Sequence, residues 1–449
     1  MPEPVIIPRA EHPISRRDID PDALKVLYRL QHFSYVSYLV GGSVRDLMLQ
    51  RRPKDFDVGT DAHPYQIKKL FRNCWIIGRR FRLAHVRFGP KTIEVATFRR
   101  HVLPGTENEP ATTEPPHEGD GEADPPADLL NRHDNTFGTA EEDAFRRDFT
   151  INALFYDIAT FSVIDYVGGL EDLREGVIRS IGDPRQRFQE DPVRMLRAVA
   201  FAARLNFRLD PLVVDAIAEH GALIATASPA RLIEEYYKVL RSGAAEKTFR
   251  LLAQHKLLEA VTPELYRGVA KDAFWQALAD LDRFRQRFAS APEQLTNPVL
   301  LGTLLVPLGL MPKRVFPAVE TFVERPGGRR FRRLPKEPAL RIGMLAVARR
   351  DTERLRQILS LQRWLADLES SPRAKRSLMN RGAFADALTW FEIHGHLPDV
   401  LEHWRGFIEA VTALPAPAAE TSAAADDRRS FRRRRRRGGR GRKRPFPNE

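Results

Sequence analysis

The sequence predicts an α+β protein with an N-terminal α/β head, an all-helical neck and body, and a disordered basic tail. Three observations predict it. From Pro21 to about residue 180, short β-like runs alternate with helical ones. Beyond Asp191 the apolar residues recur only at helical spacing, to about residue 408. Between Arg428 and Arg444 there are twelve basic residues and no acidic one, a run that cannot bury an apolar face.

The elements follow in order. Residues 1–20 are polar and proline-containing and read as a flexible lead. Ala23, Val26, Leu27 and Leu30 then mark a helix from Pro21. Ser37 to Val40 reads as a strand running into Gly41-Gly42, with a helix over Ser43 to Gln50 and a second strand over KDFDVGT. HPYQIKKLFRN reads as a helix, and WIIG, FRLAHVRF and TIEVATF as strands. Residues 105–128 hold eight acidic residues, paired prolines and no basic residue, which predicts a mobile insertion. FGTAEEDAFRRDFTINALFYDI resumes the chemistry on its far side, so the insertion lies within one domain. DPVRMLRAVAFAARL, SPARLIEEYYKVLRSG and AAEKTFRLLAQHKLLEAV open the helical part. The predicted boundaries are 21–180 for the head, 181–270 for the neck, 271–410 for the body and 411–449 for the tail.

Composition excludes several classes. A chain of 449 residues with 43% hydrophobic residues can bury substantial cores. Cys74 is the only cysteine, which rules out an internal disulfide framework and any multi-cysteine metal site. It reads as a small buried hydrophobe rather than a nucleophile. No apolar run approaches the roughly 18 residues that span a bilayer, and the N-terminus lacks a basic region followed by an apolar core. These features predict no stable membrane insertion and a cytoplasmic address. Nearly all of the net charge of +13 sits in the tail, a contact for nucleic acid or for polyanions generally. Arg329 to Arg333 is open to two readings, an RNA phosphate contact or a solvated turn. Trp275, Trp364, Trp390 and Trp404 read as core, with one of them able to stack on a base. His133-Asp134 lacks the companions a metal-dependent phosphohydrolase needs.

Asp55 and Asp57 are the centre of the functional reading. Residues two apart on a strand face the same way, while Phe56 turns to the core. Two carboxylates on one face repel each other unless a cation lies between them, and magnesium is the hard, oxygen-preferring ion that answers this. Glu94, in TIEVATF, is a third candidate carboxylate. An Asp-x-Asp alone is common on surface turns, but Gly41-Gly42 upstream permit close backbone approach to a phosphate. Arg45 and Asp46 fall in the first turn of the following helix, where Arg45 can face phosphate.

These strings resemble the class II nucleotidyltransferases, the family of bacterial poly(A) polymerases and CCA-adding tRNA nucleotidyltransferases. LVGGSVRDLML, PKDFDVGT, RRDFTINALFYD, EDPVRMLRAVAFAARL and ARLIEEYYKVL occur in family order over residues 35–240. The resemblance implies a polymerase-beta-like nucleotidyltransferase head, a neck that reads the nucleotide base and a body that binds RNA. It implies that Asp55 and Asp57 hold two Mg2+ ions, with Glu94 as a further catalytic acid and ATP as substrate. Gly41, Gly42 and Arg45 become phosphate-cradle residues, and Arg147, Asp148 and Asn152 position ribose and triphosphate. Asp191 and Arg194, three apart on one side of a helix, present acceptor and donor groups to the incoming base. Arg231 and Glu235 carry over only as an ion pair that braces that helix, because Pro229-Ala230 replaces the Glu-Arg of many CCA-adding members.

Within the family, the form of NCWIIGRRFRLAHVRFGPKTIEVATFRRH, the insertion and the arginine-rich tail resemble the bacterial poly(A) polymerases. The implied activity is template-independent addition of AMP to RNA 3′ ends with release of pyrophosphate, promoting RNA decay. The implied protein is a monomer, with RNA-decay or RNA-chaperone proteins as partners. Two alternatives stay open: a CCA-adding enzyme using CTP and ATP, and an inactive RNA-binding relative.

Overall fold

The β-like runs of the head assemble into one eight-stranded sheet in the computed structural model, which describes residues 3–78, 82–100, 137–311, 321–325, 329–333 and 340–413. Its strands are β1 (Val5–Ile7), β2 (Ser37–Val40), β3 (Asp57–Thr60), β4 (Cys74–Ile77), β5 (Leu83–Phe88), β6 (Lys91–Thr97), β7 (Leu154–Asp157) and β8 (Ser162–Asp165). They lie in the order β1-β8-β7-β2-β3-β6-β5-β4. Within this sheet only β3 and β6 run parallel, because the helix Pro64–Leu70 and the β4–β5 hairpin intervene between them. β7 and β8 follow residues 101–136 in sequence yet pair beside β2, so both flanks of that segment share one sheet. The acidic insertion, His133-Asp134 and the basic tail lie outside the described residues.

Alternation divides the sheet between two cores. Leu39, Val58, Val86, Val95 and Tyr156 face the main core, which continues into the helices beyond. Val40, Phe98, Phe155, Ala140 and Ala144 form a smaller core on the opposite face. Cys74 is buried in the main core, as expected, and burial raises its thiol pKa.

The lead packs against the head where it is described. β1 pairs with β8, Val5 opposite Asp165, and His12 Nε2 lies 2.9 Å from the Phe161 carbonyl oxygen. Ile14 and Ile19 are buried in the main core, and two apolar anchors spaced five apart carry no periodic signal that marks docking.

Helix starts follow a recurring Asp-Pro or Ser-Pro grammar. The helices of the head and neck are α1 (Pro21–His32), α2 (Gly42–Met48), α3 (Pro64–Leu70), α4 (Ala140–Phe145), α5 (Gly169–Glu175), α6 (Pro184–Glu190), α7 (Val193–Leu205), α8 (Pro211–His220) and α9 (Pro229–Leu240). Asp20, Asp183 and Asp210 each accept a backbone N–H of the first turn, and a proline occupies the first helical position where no donor is needed. α2 starts at Gly42 and stops at Met48, earlier at both ends than its sequence predicts. Gln50, at φ 54°, has already left helical geometry.

The neck continues with the helix Ala245–Gln254, and the body packs the helices Asp272–Gln286, Asn297–Leu305, Arg349–Ala366, Phe384–His394 and Pro398–Ala413. Trp404 and Trp390 are core, and Trp404 Nε1 donates to the Leu365 carbonyl at 2.8 Å. Trp364 is exposed. The body is not all-helical. Thr321–Arg325 pairs antiparallel with Arg329–Arg333, as β-branched and aromatic residue types at 321–323 favour. Among the described residues no helix is long and apolar enough to cross a membrane.

Candidate active site

β3 and β6 bring the acidic residues to one edge of the head. Val58 pairs in register with Val95, so the preceding residues, Asp57 and Glu94, stand side by side on the face opposite the main core. Asp55 is not on the strand, because β3 begins at Asp57. It lies in the segment that approaches the strand, exposed, with Lys54 Nζ at 3.1 Å. Phe56 packs against the main core, as predicted. Among the described residues no three His, Cys, Asp or Glu side chains are grouped closely enough to hold an ion together.

Electrostatics single out Asp57. Burial first, then the charges of Glu94 and Asp55, push its carboxyl up to about 6, while Arg147 and Lys54 pull the other way. A carboxyl raised in the fold favours the folded state only while it is protonated. Its contribution is fully present below the ordinary value near 3.8 and is lost as pH rises through about 6. The stability of the metal-free protein relative to Asp57→Asn is therefore expected to fall across that window. Urea unfolding at pH 4, 5, 6 and 7 checks this, and a flat difference would contradict the assignment.

Gly41 joins β2 to α2 at φ 71° and ψ −130°, a conformation side chains avoid. A Cβ there would stand 2.9 Å from Arg147 Nη1. Gly41→Ala should cost about 2 kcal/mol through strain and displacement of that guanidinium. Thermal unfolding measures the first effect and the KM for ATP the second, which should rise. A Cβ on Gly42 would meet nothing nearer than Arg45 Nη2 at 3.6 Å.

Arg45, expected at the phosphates, is buried instead. Its Nε and Nη2 donate to Asp46 Oδ1 at 2.9 and 2.7 Å, and its Nη1 donates to Asn152 Oδ1 at 2.6 Å. Asn152 Nδ2 donates to Asp148 Oδ1 at 3.2 Å. Asp148 Oδ2 takes Arg197 Nε at 2.8 Å and Nη2 at 2.7 Å, and Arg204 Nη2 reaches Asp46 Oδ2 at 3.0 Å. Both Arg45 and Arg197 lie over the Phe201 ring, each 5.3 Å from its centroid. This continuous network ties α2 and the RRDFTIN turn to α7. Burial pushes Asp148 up, but Arg197 and the hydrogen bonds outweigh it and hold the carboxyl below its usual range.

Arg147 is close enough to Asp57 for its charge to favour the ionised carboxylate there. Its Nε and Nη2 donate to Asp143 Oδ2 at 3.1 and 2.9 Å, and its Nη1 donates to the Asn152 carbonyl at 3.0 Å. Arg187 of α6 fixes the same segment from below. Its Nη2 donates to the carbonyls of Arg146 and Arg147 at 2.7 and 2.6 Å.

The expected base-reading pair is arranged differently from its spacing. Asp191 lies between α6 and α7, not on the helix, and its Oδ1 accepts the Val193 N–H at 3.3 Å. Arg231 grips both its oxygens, at 3.0 and 2.7 Å. Arg194 Nη1 donates to Glu190 Oε2 at 3.2 Å and to the Arg187 carbonyl at 3.1 Å. Arg231 and Glu235 do not pair with each other: Glu235 lies 2.7 Å from Lys238 and 3.7 Å from Arg197. Four-residue spacing brings two side chains near each other, but Asp191 at the entry of α7 takes Arg231, and Lys238 on α9 itself takes Glu235, with Arg197 farther off.

Arg187, Arg197, Arg204 and Phe201 were missed by sequence reasoning. The last three, with Arg194, recur at helical spacing opposite the apolar face of α7, a legible signal.

Residues 37–179 match the family model described as "Poly A polymerase head domain", and residues 206–267 match "Probable RNA and SrmB- binding site of polymerase A". The chain is 53% identical over 266 residues to poly(A) polymerase I of Salmonella typhi, covering 59% of this chain and 55% of that protein. It is 36% identical over 237 residues to the CCA-adding enzyme of Bacillus subtilis, covering 53% and 54%. The chain thus spans about half the length of the curated relatives it matches. A solved Bacillus stearothermophilus CCA-adding enzyme shares the fold, with a TM-score of 0.51 at 23% identity over 92% of this chain and 93% of that one.

Proposed function

We propose that this chain is a member of the nucleotidyltransferase family of poly(A) polymerases and CCA-adding enzymes and transfers AMP from ATP to RNA 3′ ends. The 3′-oxygen attacks the α-phosphorus, a new phosphodiester bond forms, and the bond to pyrophosphate breaks. The observation that carries the reading is Asp57, held beside Glu94 with its charge opposed by burial and by neighbouring carboxylates. Such a group calls for a cation, and two aspartates with substrate oxygens suit Mg2+. Asp55 and Asp57 would hold it. When bound, a pair of divalent ions supplies Lewis-acid activation of the hydroxyl and neutralises charge on the leaving group.

The remaining work belongs to the protein. Arg147 faces the same region and offers a cation to the triphosphate, while the Gly41-Gly42 backbone leaves room for it. Asp148 and Asn152, locked to each other and to Arg197, present oxygen and amide groups to the ribose. Glu94 tunes the charge of Asp57. Arg45 acts as a brace between α2 and Asn152. Asp191 and Arg194 read the base edge after exchanging Arg231 and Glu190 for it. The choice of ATP rests on greater similarity to the poly(A) polymerase than to the CCA-adding enzyme.

Incubating the protein with an unstructured RNA, ATP and Mg2+ tests the reading. Elongation that stops on chelation supports it, and an unextended RNA under varied divalent ions refutes it.

A further inference from the structure

We propose that the open face of β4 and β5 is a stacking subsite for an RNA base upstream of the 3′-terminal nucleotide, with Trp75 as its platform. The inference rests on the RNA-extending reading above. Strand register carries it. Trp75 pairs with His85, His85 pairs with Glu94, and Asp57 stands beside Glu94. Cross-strand partners point to one face, so indole, imidazole and two carboxylates form a single row across four strands. At about 4.8 Å between strands, the indole lies roughly 10 Å from Glu94 and roughly 14 Å from Asp57.

Exposure and charge then select the occupant. Trp75 is 53% exposed and Ile77, two residues on, is 50% exposed, while Cys74 between the same strands is buried at 5%. A core role would show the opposite pattern. Among the described residues no strand lies beyond β4, so the row ends at an open edge. His85 stands opposite the indole, and exposed Arg87 follows on the same face. An apolar ring flanked by a cation, in line with the reacting centre, fits a single strand with a charged backbone and π faces. Stacking is tolerant of sequence, as an enzyme that extends its own product requires.

The test compares Trp75→Ala and Trp75→Phe with wild type in steady-state extension of an unstructured oligoribonucleotide. Trp75→Ala should raise the KM for RNA about tenfold, leave the KM for ATP within about twofold, and be rescued by Trp75→Phe. An oligonucleotide carrying 4-thiouridine next to its 3′-terminal nucleotide should crosslink to the peptide containing Trp75. An unchanged RNA KM in Trp75→Ala, or crosslinks that map only elsewhere, overturns the subsite. Crosslinking needs no turnover. A wild type inactive with ATP that still crosslinks at Trp75 would therefore refute the activity and keep the subsite.

Discussion

Asp57→Asn is expected to lower AMP incorporation about a thousandfold, because a metal-held reaction loses several kcal/mol of charge stabilisation with one anionic ligand. The change is nearly isosteric, and it removes the charge that burial, Glu94 and Asp55 all oppose. The metal-free fold should therefore be no less stable, which separates lost chemistry from lost structure. Single-turnover extension at saturating ATP measures the first, and fluorescence anisotropy with a labelled RNA shows whether binding stays within about twofold. Asp55→Ala should act in the same direction. Its side chain is exposed and, among the described residues, pairs with Lys54 alone, at 3.1 Å, so the substitution removes little packing. Substantial incorporation by either variant under matched conditions would sink the metal assignment.

Arg197→Met is expected to loosen the RRDFTIN turn by about 3 kcal/mol, the scale for removing one partner of a largely buried ion pair. Arg197 gives Asp148 its closest charged contacts, 2.7 and 2.8 Å, and lies over Phe201. Without it, Asp148 keeps the Asn152 amide and the Phe149 N–H but, among the described residues, no cation in direct ion-pair contact. Hydrogen exchange across residues 146–157 reads the loss locally, and the KM for ATP should rise with it. Arg197→Met combined with Asp148→Asn should recover part of the stability, since the stranded charge is gone. Equal exchange in Arg197→Met and wild type would mean that the network does not support the turn.

The local elements were legible where short-range physics decides them. Ser37–Val40 and the α1 stripe of Ala23, Val26, Leu27 and Leu30 stand where pattern places them. The Asp55–Asp57 alternation was read one step too far, because a strand begins only where a partner strand supplies hydrogen bonds. For β3, Asp57 opposite Val40 is that point. Pairings between distant residues were the least legible. Arg45 looked free to meet phosphate until Asn152, more than a hundred residues away, took its guanidinium. Arg231 and Glu235 look like partners by spacing, yet Asp191 takes the first and Lys238 the second. Long side chains choose among whatever the fold brings near, and spacing records only one part of that choice.

The lead, residues 1–20, shows the same limit in a weaker form. β1 is only three residues long, Val5–Ile7, too short to show alternation although all three are β-branched, and with each at least partly exposed it gains its place by pairing with β8. The proposed function has its signature early in the sequence, because the family that the chain resembles carries few residue types in a fixed order: a glycine turn, paired aspartates, and Arg-Asp followed by Asn. These motifs identify the reaction class more firmly than the nucleotide, since Asp191 and Arg194 are compatible with more than one base edge.

Nucleotide choice is accordingly the most direct test. Two RNAs, an unstructured oligonucleotide and a tRNA lacking its terminal CCA, are offered to the full chain with Mg2+ and each nucleoside triphosphate, separately and together. A long ladder from ATP alone on the unstructured RNA is the expected result, and it gives Asp191 and Arg194 an adenine-selecting role. Addition that needs CTP before ATP and stops after CCA on the tRNA would contradict it.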